Sequence, residues 1–200
     1  LKFPVISFNA IILILIGAFL NIIALFWFYK GLQVGTVSVV SPISSAYGAV
    51  TVILCLIFLN EKLNALQAVG GSLAILGTII VSFKLHDLAK LKLKNISSGV
   101  KYGLIAMLGW GIFFAFMKPL VNDLGWFFPP LLIKTLGVFY VLAYASTAKK
   151  DISFPKNAAL FIILLGIIET IGFLFIGAGI SLEQTAIVAP VSSTYPIITI

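Results

Sequence analysis

Charge is what this chain most lacks. Charged residues fill 10% of its 200 positions, against about 25% in an ordinary globular domain. That deficit excludes a water-soluble helical domain, whose helices would each need a polar face. The 61% hydrophobic content excludes a disordered chain. Arginine is absent: thirteen lysines face six acids, for a net charge of +7. Without the bidentate guanidinium fork, and with most lysines in short gaps between apolar runs, this balance reads as membrane topology and lipid headgroup contact, with no nucleic-acid partner. One cysteine, Cys55, lies inside an apolar run, so no disulfide or thiolate metal site can form within the chain. The single histidine, His86, stands beside Asp87 with no nucleophile or metal partner in view. HExxH, CxxC and Gly-x-Ser-x-Gly elements are all missing. No cofactor, metal or catalytic residue is therefore expected.

What the chain has instead is apolar length. Seven runs stand out, at about 6–29, 37–59, 66–83, 100–121, 126–146 and 158–180, with a seventh starting near 186. Each is long enough to be read as a spanning helix, and helices are required because backbone groups facing lipid must be bonded within their own segment. Short alternating segments, the mark of a membrane β-barrel, are not seen. Most connections are tight and predict antiparallel neighbours. The exception is 84–98, a lysine-rich stretch that divides the chain into 1–83 and 99–200. Residues 1–8 lack the basic, apolar and cleavage regions of a signal peptide. With Leu1 at one end and an apolar run still open at Ile200, the sequence reads as a fragment.

An internal repeat gives the runs an order. A shift of 148 residues lays the stretch from Val40 to Thr51 on that from Val188 to Thr199, with six of twelve positions identical. The identities include Pro42/Pro190, Ser44/Ser192, Ser45/Ser193 and Tyr47/Tyr195, residue types that two unrelated apolar helices would seldom share. No gap is needed back to Gly31/Gly179, and Asn21 falls on Glu169. Phe3-Pro4 resembles Phe154-Pro155 with a small slip. The repeat unit is five helices, and an odd number forces the second copy into the membrane from the opposite side. Such inverted repeats are typical of secondary transporters. The parent protein is then expected to have ten spans, of which about seven are here.

The stretch from Tyr29 to Phe83 and the second half of the chain resemble the EamA domain of the drug/metabolite transporter superfamily. Glu61-Lys62-Leu63 matches that family's glutamate, basic residue and leucine after a proline-bearing helix. Gly70, Gly71 and Gly77 match its glycine-rich helix. Gly109-Trp110-Gly111 with Lys118 looks like the opening helix of a second copy. The resemblance implies an all-α polytopic membrane protein of five plus five helices with a central cavity, moving a small metabolite or drug-like molecule by alternating access. Membrane lipid and a small-molecule substrate are its implied partners. Proton coupling and a homo-oligomer are compatible with it. A channel or a non-transporting membrane scaffold is the alternative. Nine lysines on one set of loops and three on the other favour one orientation; the resemblance favours the opposite one, so orientation stays open.

Candidate site residues follow from polarity at depth. Glu169 sits near the middle of its run, where an ionisable group costs a few kcal/mol and usually faces a cavity or a partner. It is a candidate for proton coupling, against the plainer role of a hydrogen bond to a neighbouring helix. Asn21, its repeat mate, and Trp110, too deep for an interfacial belt, are cavity candidates. Lys134 could pair with Glu169, though snorkelling to the interface is the simpler expectation. Pro42 and Pro190 free carbonyls in their helices and are read as kinks. Tyr47, Tyr195, Ser44 and Ser192 surround them, able to touch substrate or to bond across a helix interface. Gly70, Ala74 and Gly77 on one run, and Gly111 and Ala115 on another, predict close helix packing. Glu61 with Lys62 is read as an interfacial ion pair.

Overall fold

In the computed structural model the described residues are 6–82, 93–149 and 158–195. They form eight helices: α1 Phe8–Val34, α2 Val37–Ser45, α3 Tyr47–Phe58, α4 Ala65–Ser82, α5 Leu93–Leu124, α6 Phe128–Thr147, α7 Ala159–Leu182 and α8 Thr185–Ser192. No strand occurs among the described residues. Five spans are long and apolar enough to cross a membrane, with α2 and α3 counted together as Val37–Phe58; α4 contributes the shorter apolar stretch Ala65–Gly77. The described residues are thus those of a helical, multi-pass membrane protein. Residues 93–98, expected in the connection, belong to the start of α5. The rest of that connection, with Lys84, His86, Asp87, Lys90 and Lys92, lies outside the described residues, as do Phe3-Pro4 and Phe154-Pro155.

The second run is not one kinked helix but two segments meeting at Ala46 (φ −63°, ψ 1°). Its chemistry explains the break. Pro42 withholds an N–H from the helical ladder. Just beyond it, the Ser44 hydroxyl donates to the Ser41 carbonyl and the Ser45 hydroxyl to the Pro42 carbonyl, each at 2.9 Å. Side-chain hydroxyls that bond back to the preceding turn compete with the backbone and bend helices. The second copy does the same: Ser192 donates to Ala189 at 2.9 Å and Ser193 to Pro190 at 2.7 Å, where α8 ends.

Some helix ends are satisfied locally. Asn64 and Gln67 form a reciprocal capping box at α4, each side chain accepting the other's backbone N–H at 2.9 Å, so two orphan donors are bonded at once. Ser7 accepts from the Ala10 N–H at the start of α1. Gly125, at φ 77°, follows α5 in the left-handed conformation that favours glycine.

The described helices fall into two compact units, Leu1–Ile22 with Met117–Leu182, and Ile23–Phe116 with Glu183–Ile200. In the first, α6 packs on α7. In the second, α3 packs along α8, and α4 lies against α2 and α8. This partition by packing cuts across the division by chain order: α8, from the second copy, packs among helices of the first. A stripe on α5 lets α2 and α3 approach closely. A Cβ on Gly103 would lie 3.0 Å from Ile43, and one on Gly111 would lie 2.5 Å from Val50. Ala115, one turn on, joins a buried cluster with Cys55 and Ala186. The small-residue packing expected at Gly111 and Ala115 is present. That expected on α4 is not seen at Gly70 or Gly77, where among the described residues an added Cβ meets nothing within 4 Å.

These contacts set a contrast. Gly111→Val has to push Val50 aside and is expected to cost about 1–3 kcal/mol, the usual penalty of overpacking. Gly70→Ala adds a methyl into open space and is expected to stay within about 0.5 kcal/mol of the wild type. Thermal unfolding in detergent measures both; equal effects would contradict the packing described.

Candidate functional site

The candidate residues of the second unit converge where α3 crosses α8. The Tyr47 hydroxyl lies 3.0 Å from the Ser192 hydroxyl, and the Tyr195 hydroxyl lies 3.4 Å from that of Ser44. Under the 148-residue shift Tyr47 becomes Tyr195 and Ser44 becomes Ser192. The two contacts are therefore one contact made twice, with the copies exchanging roles. Such reciprocity is what a two-fold relation between repeats produces. The crossing is tight: a Cβ on Gly48 would stand 2.7 Å from the Ser193 hydroxyl and 3.1 Å from the Pro190 Cα. Ser44, Tyr47 and Pro190 are buried there. Pro42 is buried in α2 and lies in the segment that breaks.

Aromatic rings extend the crossing. Tyr47 stacks on Phe114 at 4.9 Å and meets Trp110 edge-on at 6.0 Å, and Trp110 also tilts against Phe28 at 5.3 Å. Trp110 is thus a half-buried member of a ring cluster that holds Tyr47 in place. Thr51 donates to the Tyr47 carbonyl at 3.0 Å and stands 3.1 Å from the Gly111 carbonyl, which ties α3 to α5. Nearer the end of α1, Trp27 stacks on Tyr102 at 5.1 Å, and the Lys30 ammonium lies 5.3 and 5.4 Å from the two rings. That grouping of aromatic and lysine side chains suits a membrane interface.

The first unit holds the other two candidates. Asn21 is buried on α1. Glu169, on α7, accepts a charge-assisted hydrogen bond from the Lys134 ammonium on α6. Lys134 also lies 4.8 Å from the centre of the Phe173 ring. Pairing, not snorkelling, is therefore the lysine's arrangement. The physical reason is cost: in a span flanked by apolar residues, each charge is cheaper with the other beside it. An open apolar groove of about 280 Å³ on this unit is lined by Ile6, Ile11, Ile14, Leu15, Leu132, Thr135 and Leu136. None of the candidate site residues lines it.

Two contacts at helix ends escape a reading of the sequence. The Glu61 carboxylate takes the backbone N–H groups of Thr185 at 3.0 Å and Ala186 at 2.8 Å. It thereby caps the first turn of α8, where free N–H groups and the positive end of the helix dipole favour an anion. No ion pair between Glu61 and Lys62 is seen. Lys118 does the complementary thing within the first unit, donating at 2.8 Å to the Ile180 carbonyl in the last turn of α7. No local motif announces either contact, because the partners stand 124 and 62 residues away.

The Lys134–Glu169 pair carries a prediction. Lys134→Leu or Glu169→Leu leaves one charge without its partner, whereas the double substitution removes both. Each single change is expected to lower the unfolding midpoint more than the double change does. The Glu169 side chain is 58% exposed, so the coupling is expected near about 1 kcal/mol and not at the several of a fully buried pair. Additive effects in thermal unfolding would contradict it.

Comparison with known proteins agrees with this architecture. No solved structure matches the chain. The uncharacterized protein MJ1333.1 of Methanocaldococcus jannaschii is 40% identical over 68 residues, which is 34% of this chain and 50% of that protein. The chain thus spans about half the length of the curated relative it matches. The EamA-like transporter family matches residues 2–83 and again 97–200, once on either side of the lysine-rich connection. With both stretches matched, the chain belongs to the EamA-like transporter family, a membrane domain of the drug/metabolite transporter superfamily.

Proposed function

We propose that the chain forms the core of a secondary carrier that moves a small metabolite or drug-like molecule by alternating access. The observation that carries this reading is the reciprocal contact of Tyr47 with Ser192 and of Tyr195 with Ser44. Two copies of one helix-break motif cross at their polar, proline-broken segments. Broken helices at a repeat interface are where secondary carriers bind substrate, and one bundle of helices rocks against another around it. A hydroxyl pair is suited to this, since each bond is modest and can be exchanged for a substrate contact. Tyr47, Tyr195, Ser44 and Ser192 are the residues assigned to substrate, with Trp110 as the ring that backs Tyr47.

Proton coupling is assigned to Glu169. With the carboxylate ionised, Lys134 holds it. With the carboxylate protonated, the pair loses its charge attraction and Lys134 is left as an unpaired cation in an apolar span. Asn21 is the corresponding position of the first copy and supplies polarity without charge.

Flux into proteoliposomes tests both parts. The complete protein is expected to accumulate at least one solute from a panel of amino acids, purines, sugars and quaternary amines, faster under an imposed pH gradient. Glu169→Gln is expected to abolish the gradient's effect while leaving exchange of the same solute measurable. An unchanged response to pH would overturn the coupling role of Glu169. Gradient-independent, non-saturating flux would point to a channel.

A further inference from the structure

We propose that α8 moves as one body with α3 and α4, against the order of the repeats, and that Glu61 is the positioning residue that fastens it there. The proposal rests on the alternating-access reading, in which something must shift while the crossing is rearranged. Four independent contacts join α8 to helices of the first copy. Glu61, on the turn between α3 and α4, bonds two consecutive N–H groups of α8. Its turn is itself rigid: the Leu59 and Glu61 N–H groups both bond the Cys55 carbonyl, and Asn60 takes the left-handed conformation at φ 53°. Cys55 and Ala186 meet in one buried cluster with Ala115, packed by Val52, Leu54, Leu59 and Leu63. Gly48 leaves no room between α3 and the α8 segment around Pro190 and Ser193. Further along, Tyr47 bonds Ser192.

The strengths of these contacts differ, and the difference assigns the roles. A carboxylate on two helix N-terminal N–H groups is charge-assisted at both bonds, and close-packed apolar contact does not slide without opening voids. Tyrosine–serine bonds are neutral and single. The Glu61 end and the Cys55–Ala186 contact are thus the fixed part, and the hydroxyl pairs beyond Pro42 and Pro190 are the part free to change partners. Without Glu61, the start of α8 keeps its apolar contacts but loses the anion that holds its first turn.

Cys55, fully buried against Ala186, is a native reporter of this contact. The complete protein in proteoliposomes is treated with N-ethylmaleimide, and modification of the Cys55-bearing peptide is followed by mass, at rest and during solute flux. Wild-type Cys55 is expected to react at the same slow rate in both conditions. Glu61→Ala is expected to raise that rate at least about tenfold, as local opening exposes a protected group. Glu61→Gln, which keeps one acceptor oxygen, should recover most of the protection. A rate in the wild type that climbs several-fold during flux would overturn the joint movement while leaving transport established. An unchanged rate in Glu61→Ala would overturn the fastening role. Absence of flux from wild-type protein would overturn the transport reading and the joint movement with it. Glu61's hold on α8 is read by labelling alone and would survive that result.

Discussion

Every backbone group in a lipid-facing helix has to find its partner inside the protein, and the rest of this structure follows from how that demand is met where helices stop or break. Within an uninterrupted run the ladder meets it automatically. At ends and breaks it does not, since four N–H or four C=O groups are left over at each terminus. The chain spends much of its small polar inventory there. Glu61 takes the first N–H groups of α8, Lys118 takes a carbonyl of α7, and Asn64 with Gln67 closes α4. A sequence with 10% charged residues has few charges to place, and Glu61 and Lys118 are placed on the open backbone groups of helix ends.

The breaks at Pro42 and Pro190 take this further. Each frees backbone polarity inside a helix, and the serines two and three residues on recover part of it by bonding back. The hydroxyls so gathered then meet their counterparts from the other copy. Repetition of one broken-helix motif brings two such polar segments against each other, which is why Tyr47 finds Ser192 while Tyr195 finds Ser44. The small residues at Gly48 and Gly111 permit the approach that these bonds require. Fold and candidate site thus share one cause.

Much of the fold was legible because lipid imposes a simple code. The runs at 66–83, 126–146 and 158–180 became single helices with ends within about two residues of those expected, while α1 runs on to Val34, α5 starts at Leu93 and α8 stops at Ser192; the shift of 148 residues singled out the residues that pair across the crossing. The failures have physical reasons. The second run reads as one kinked helix, since proline marks where a bond is missing; where the helix parts depends on Ser44 and Ser45, whose back-bonds are invisible without coordinates. Glu61 beside Lys62 looks like an ion pair, because a carboxylate's preference for a distant helix terminus leaves no mark nearby. Lys134 looks able to snorkel, and only the facing of α6 on α7 brings it to Glu169. Gly70 and Gly77 on α4 suggest close packing, yet among the described residues nothing stands within 4 Å of a Cβ added at either.

The reciprocity of the crossing is best measured by a pair of double-mutant cycles on the complete protein in lipid. One cycle combines Tyr47→Phe with Ser192→Ala, the other Tyr195→Phe with Ser44→Ala. If the two copies make one contact twice, each cycle should return a coupling of about 0.5–1.5 kcal/mol, favourable in both. Coupling in neither cycle, with all four substitutions simply additive, would contradict the symmetric crossing on which the account of this transporter domain depends.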